Sequence, residues 1–143
     1  MRVSELMNGN VVSINPDESV TLAARLLTRH NVGSLPVCAL DGKLKGILTD
    51  RDIVLRCVAS ESDPQNMKVG EIMSRGVKTV GPDDDVRTAS HLMAHEQVRR
   101  LPVVDGVGKV VGMLSLGDMA KTHNFDMEAS KALSEISMNI KKI

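Results

Sequence analysis

The sequence predicts an α/β fold of the α+β kind. Two tandem β-α-β-β-α units, related by pseudo-twofold symmetry, are followed by a C-terminal helical tail. Three observations carry this expectation. The chain aligns with itself without a gap at an offset of 66 residues, Val3–Val54 on Val69–Ala120. Within each copy the apolar spacing changes from helical to strand-like. Each copy also ends its last strand on the same polar junction, "GILTDRDI" from Gly46 and "GMLSLGDM" from Gly112.

The elements follow in order. Each copy opens on a short helical turn, "VSELM" or "VGEIM", and continues into an extended piece, "NVVSIN" or "GVKTVG". Pro16 and Pro82 end that piece, because proline removes a ladder donor and restricts its predecessor. A helix of about three turns comes next. Its apolar positions are Val20, Ala23, Leu26 and Leu27 in the first copy, and Val86, Ala89, Leu92 and Met93 in the second. Asp17–Ser19 and Asp83–Asp85 supply caps and first-turn acids. Strands at Leu35–Leu40 and Leu44–Leu48 flank "DGK", and Leu101–Val104 and Lys109–Leu114 flank "DGVGK". The last helix runs from about Asp50 to Ala59, and its counterpart starts near Gly117.

These elements place the first unit at 1–60, a linker at 61–68, the second unit at 69–120 and the tail at 121–143. One unit is too small to bury a generous core, so pairing is expected to pack two sheets across a central seam. A cleft then lies beside each polar junction. The tail reads as a helix with Met127, Leu133, Ile136 and Ile140 partly in phase, ending on Lys141 and Lys142. It caps the module or packs against a second subunit.

Composition removes several function classes. With 42% apolar residues among 143, the chain can build a core, and its 18 basic and 18 acidic residues balance. Balanced charge gives no electrostatic reason to expect nucleic acid, and DNA contact through Arg99 and Arg100 lacks a reading helix. Phe125 is the only aromatic ring besides histidine, so no stacking platform exists for single strands. Cys38 and Cys57, in a strand and a helix, are expected to be buried thiols. No apolar run reaches membrane length and no signal segment opens the chain, so a cytoplasmic protein is expected. His91 and His95 are four apart on one helix, which permits shared metal binding, but no cysteine or third ligand is obvious. They and His30 and His123 read as surface histidines. No nucleophile is placed with a base and an orienting acid, and "DGKLKG" has too few glycines to cradle phosphate. The expectation is a protein that is not an enzyme.

The junction supports two readings. In one, Thr49 with Asp52, and Ser115 with Asp118, are capping boxes that only start helices. In the other, the carboxylate accepts hydrogen bonds from the paired hydroxyls of a ribose, while the hydroxyl and free backbone N–H groups meet a phosphate. Arg51 adds a cation to the first junction, where the second has Gly117. The second recovers charge from Arg99 and Arg100 in "RRLPVV", where the first has Gly33 and Ser34 in "GSLPVC". Arginine's fork of donors suits phosphate. The other role for this pair is a solvated strand end or a partner for Asp105. Backbone groups near Ile14 or Ser34 would read an adenine edge, with aliphatic side chains clamping its faces.

With these motifs in place, the chain resembles the tandem CBS-domain proteins, the paired arrangement called a Bateman module, of the stand-alone type without an attached effector domain. The likeness rests on "VSELM…VVSINPDESV…LPV…DGKLKGILTDRDI" and "VGEIM…VKTVGPDDDV…LPVV…GKVVGMLSLGD", and covers Val3–Ala120. It implies a non-enzymatic regulatory or sensor module. Such a module binds AMP, ADP, ATP or S-adenosylmethionine-like ligands in clefts between paired units, requires no cofactor and acts on a separate effector protein. It further implies a homodimer, flat and four units across. Carried over by motif, Asp52 and Asp118 hold ribose, Thr49 and Ser115 lie near ribose or phosphate, and Arg99 and Arg100 lie near phosphate. Ser13, Ile14, Gly33 and Ser34 line the base region, with Thr79 and Val80 matching them in the second cleft. The competing expectation is a ligand-free interaction module that dimerises through its CBS faces.

Overall fold

The structure, a computed structural model, describes residues 1–121 and 126–140. His123, Phe125, Lys141, Lys142 and the side chain of Ile140 lie outside the described residues. In chain order the elements are α1 (Val3–Leu6), α2 (Val20–His30), β1 (Ser34–Cys38), β2 (Leu44–Thr49) and α3 (Asp50–Ile53), which widens into a π turn at Val54–Val58. The second series is α4 (Val69–Ile72), α5 (Val86–Glu96), β3 (Arg100–Val104), β4 (Val110–Ser115) and α6 (Leu116–Ala120), followed by α7 (Asp126–Ile140).

The long helices start and stop for local reasons. The Ser19 hydroxyl accepts the Leu22 N–H at 3.1 Å, and the Asp85 carboxylate accepts the Arg87 N–H at 2.8 Å, each answering an orphan donor of the first turn. Asn31 (φ 52°) and Gln97 (φ 60°) close the helices in the left-handed conformation. The buried faces are those the spacing predicts: Val20, Ala23 and Leu27 on α2, and Val86, Ala89 and Met93 on α5. Ser90 joins the second set, whereas Leu26 and Leu92 are only partly buried.

Each hairpin is a two-stranded antiparallel ladder in the same register. Leu35 faces Leu48 and Val37 faces Gly46 in one; Leu101 faces Leu114 and Val103 faces Gly112 in the other. The first strand stops earlier than expected. Leu40 belongs to the turn and is 98% exposed. Gly42 there has φ 88°, and the Asp41 carboxylate accepts the Lys43 N–H at 3.0 Å. The helix expected from Asp50 to Ala59 forms, but beyond Ile53 its hydrogen bonds lengthen to the five-residue pattern, with the Ala59 N–H donating to the Val54 carbonyl at 2.9 Å.

The extended pieces before the prolines are reduced to single bridges. Ile14 lies parallel to Val37, and Val80 lies parallel to Val103. The outer edge of β2 is taken by Ser74, which exchanges two hydrogen bonds with Ile47 at 3.0 and 2.9 Å. The outer edge of β4 is taken by Asn8 opposite Met113. Each hairpin is thus completed by the opening segment of the other repeat. The chain accordingly divides into two compact units: Val12–Val77, and Met1–Val11 with Lys78–Ile143. Val69 and Ile72 of α4 join the core of Val20, Leu35, Leu48 and Cys57, and Val3 of α1 joins that of Val86, Met93, Leu101 and Leu114.

Helix α7 packs on α5 and α6 of the second unit. Its buried residues are Ala129, Ala132 and Ile136, whereas Met127 and Leu133, expected to be in phase with Ile136, are 83% and 43% exposed. Small residues let the helices approach closely, so the contact runs through the alanines. Ala132→Lys is expected to cost about 1–3 kcal/mol by overpacking. Leu133→Lys is expected to stay within about 0.5 kcal/mol, and thermal unfolding of the two variants checks the order.

Both cysteines are free and buried, as expected. The Cys57 thiol donates to the Ser62 carbonyl at 3.7 Å. Burial pushes the Cys38 thiol up from its ordinary value of 9.0, and a hydrogen bond with Ser13 opposes this in part. The unfolded chain therefore loses this proton first as pH rises. The stability that follows is complete below the ordinary value and is lost as pH climbs through the raised one. Ellman's reagent at neutral pH is expected to label neither thiol in the folded chain and both in guanidinium, and alkaline melts should show Tm falling only above the ordinary thiol range.

Candidate functional site

Both polar junctions are built as strand, cap and helix without an intervening loop. The Thr49 hydroxyl accepts the Asp52 N–H at 3.0 Å, and Asp52 Oδ2 accepts the Thr49 N–H at 3.0 Å. The second junction repeats this, with 3.1 Å from the Asp118 N–H to Ser115 Oγ and 2.9 Å from the Ser115 N–H to Asp118 Oδ2. Each is a complete capping box with aspartate in the place of glutamate. Capping occupies one carboxylate oxygen in each copy and leaves the other for different work.

The two remaining oxygens meet different surroundings. Asp52 Oδ1 lies 3.5 Å from the Ser74 hydroxyl and 3.8 Å from the Arg56 guanidinium, and its side chain is 11% exposed. Arg56 is itself anchored, donating to the Ile72 carbonyl at 2.9 Å. Asp118 is only half-buried, and its Oδ1 takes no hydrogen bond from the described residues. The sequence offset explains the contrast. Asn8 stands where the first unit has Ser74, and its side-chain oxygen is taken by the Asn10 N–H at 2.9 Å. Position 122, matching Arg56, is a threonine outside the described residues. Sequence reasoning missed Arg56 and Ser74. Arg56 was open to notice as the i+4 neighbour of Asp52; Ser74 reaches the site only through the exchange of opening segments.

The backbones of Arg99 and Arg100 adjoin the second junction. Arg100 lies directly across the ladder from Ser115, and the Arg99 carbonyl accepts the Leu116 N–H at 3.0 Å. Asp105, the other partner considered for them, accepts the Val107 and Lys109 N–H groups at 3.0 Å in the turn beyond β3. In the first unit the same places hold Ser34, buried and opposite Thr49, and Gly33, whose carbonyl accepts the Asp50 N–H at 3.1 Å. Arg51 is exposed on the first turn of α3.

In the base region the Ile14 N–H donates to the Pro36 carbonyl at 3.1 Å and the Ile14 carbonyl accepts the Cys38 N–H at 2.8 Å, which leaves for a base edge that carbonyl's second lone pair and the neighbouring backbone groups. Val80 is bonded in the same way to Pro102 and Val104. Both side chains are buried, so they offer apolar walls only, beside exposed Ser13 and half-buried Thr79.

Among the described residues, no group of three or more His, Cys, Asp or Glu side chains is placed to hold a metal ion. His91 and His95 are exposed on α5. No helix among the described residues is long and apolar enough to cross a membrane.

A doubled hairpin that runs each time into a hydroxyl–acid helix start makes a duplicated α/β module with one such junction in each repeat. Residues 3–58 and 69–123 match the CBS domain, and the chain belongs to the CBS-domain family as a tandem pair, or Bateman module. It is 42% identical over 135 residues to the CBS domain-containing protein YhcV of Bacillus subtilis, covering 94% of both chains. It is 33% identical over 117 residues to hypoxic response protein 1 of Mycobacterium tuberculosis, covering 82% of this chain and 81% of that one. The solved structure of hypoxic response protein I with two coordinated zinc ions superposes with a TM-score of 0.78 at 32% identity, over 85% of this chain and 98% of that one. The CBS-domain pair of protein MJ0100, solved with 5′-methylthioadenosine and S-adenosyl-L-methionine, gives a TM-score of 0.76 at 29% identity, over 85% and 94%. CBSX2, solved with AMP, gives 0.73 at 29%, over 84% and 93%.

Proposed function

We propose that the protein is a sensor of adenosine-containing ligands, of the AMP, ADP, ATP or S-adenosylmethionine type, and that its second junction is the stronger site. The observation that carries this reading is Oδ1 of Asp118, which accepts no hydrogen bond among the described residues, on a carboxylate that Ser115 already holds in place. A fixed acceptor on a half-buried carboxylate suits the paired hydroxyls of a ribose. Arg99 and Arg100 then supply the cations for phosphate, or for the carboxylate of an amino-acid tail. At the first junction Thr49, Arg51 and Asp52 take the corresponding roles, more weakly, because Arg56 and Ser74 compete for Asp52. Ser13, Ile14, Gly33 and Ser34, and Thr79 and Val80, line the two base regions. Occupancy is relayed through a homodimer to a separate effector protein. The adenosine ligands of MJ0100 and CBSX2 support the reading.

Calorimetry of ligand-free protein with AMP, ADP, ATP and S-adenosylmethionine tests it, and saturable heat with at least one ligand is the expected result. A second reading draws on the completeness of both capping boxes. In it the junctions serve stability alone, and the module is a ligand-free, dimerising interaction domain. That reading gains if none of the four ligands gives heat while Thr49→Ala and Asp52→Ala lower Tm equally.

A further inference from the structure

Two polar ties run from the first junction to one short strip of chain. Asp52 Oδ1, the oxygen that capping leaves over, lies 3.5 Å from the Ser74 hydroxyl and 3.8 Å from Arg56 Nη1. The same Nη1 donates to the Ile72 carbonyl at 2.9 Å and lies 3.4 Å from that of Met73. One tie is direct and the other is relayed by Arg56, and both end on residues 72–74. That strip seals the outer edge of β2. Ser74 and Ile47 exchange backbone hydrogen bonds, and Ile72 and Met73 are buried in the core of the same unit.

The contacts along these ties are unequal. The Arg56–Ile72 bond and the Ser74–Ile47 pair have ordinary lengths, whereas 3.5 and 3.8 Å are long for contacts to a carboxylate. A ribose hydroxyl donating to Asp52 Oδ1 at about 2.6 Å is a better partner than either. It displaces the Ser74 hydroxyl, and the Arg56 side chain, 51% exposed, has solvent to turn into.

The second unit is arranged differently. Asn8 holds the place that matches Ser74, and its side-chain oxygen accepts the Asn10 N–H at 2.9 Å. Asp118 Oδ1 accepts no hydrogen bond among the described residues. A ligand there finds its acceptor ready, whereas a ligand at Asp52 has ties to break first.

We infer that the first junction is the switching site and that residues 72–74 are its readout. A ligand that takes Asp52 Oδ1 releases Ser74 and Arg56 and loosens the strip from the edge of β2. The inference rests on the sensor reading and adds to it which residues respond. Coupling is reciprocal, so freeing the strip by mutation tightens ligand at the first junction by the factor that ligand loosens the strip.

Hydrogen exchange followed by NMR on the full chain tests this, reading the amides of Ile47 and position 74. The Cys38 amide, which donates to Ile14 in the same unit, is the control, and those of Asn8 and Met113 report the other edge. Without ligand, Arg56→Gln combined with Ser74→Ala is expected to speed exchange at Ile47 and position 74 at least about fivefold and to leave Cys38 unchanged. Equal acceleration at Cys38 would be general loosening and would count against the inference. AMP, ADP, ATP and S-adenosylmethionine are then each added to the parent chain at saturation. The ligand that binds is expected to produce the same selective acceleration, with no change at Asn8 and Met113. In an Asp118→Ala background, that ligand should bind at least about fivefold more tightly once Arg56→Gln and Ser74→Ala are added. A ligand that binds the parent chain yet slows the Ile47 and position-74 amides, or leaves them unchanged, would overturn the inference and spare the sensor reading. Absence of amide shifts at both junctions with all four ligands would remove the sensor reading itself, and the inference with it.

Discussion

Asp118→Ala is expected to weaken the adenosine ligand by about 10- to 100-fold, because charge-assisted hydrogen bonds contribute about 1.5–3 kcal/mol. Asp52→Ala should weaken it less and destabilise the fold more. Both substitutions remove a capping carboxylate, which costs about 1 kcal/mol. Asp52→Ala also takes from Ser74 and Arg56 the oxygen they approach at 3.5 and 3.8 Å, inside a largely closed site. The two variants are thus expected to cross: D52A with the lower Tm, D118A with the lower affinity. Calorimetry and thermal melts on the same preparations read both quantities. The opposite order in affinity would move the principal site to the first junction.

Gly46→Val is expected to be the most damaging single substitution in the ladders. A Cβ at Gly46 would lie 2.6 Å from the Ser74 carbonyl oxygen and 2.9 Å from the Met73 sulfur. Ser74 cannot step aside without breaking its two hydrogen bonds to Ile47. The cost should be about 3 kcal/mol, at the upper end for overpacking in a core. Gly112→Val faces a softer obstacle. Its Cβ would meet the sulfur of Met7 at 2.5 Å and the Asn8 carbonyl oxygen at 3.2 Å, and a methionine tip can swing away. Urea unfolding should rank G46V well below G112V, and equal losses would contradict this account of the two edges.

The residues that were legible in the sequence are those whose partners are close in the chain. A hydroxyl three positions before an acid is a local arrangement, so both capping boxes could be read directly. The same holds for the hairpins, with their turn residues between apolar runs, and for the faces of α2 and α5. The edges of the sheets were not legible. "VSELM" and "VGEIM" are nearly the same string, and either fits either hairpin, so the sequence does not say which one Ser74 joins. That ambiguity hid the Ser74 contact to Asp52. The packed face of α7 is not legible in the sequence, because Ala129 and Ala132 carry little apolar signal beside the larger Met127 and Leu133, which are exposed.

Because α1 and Asn8 finish one sheet while α4 and Ser74 finish the other, neither repeat is a self-sufficient half. Within this chain each repeat's hairpin therefore depends on the opening segment of the other for its outer edge. A protease nick in the exposed connection at 60–67 should therefore leave two pieces that still travel together, because each piece carries the strip that seals the other's open edge.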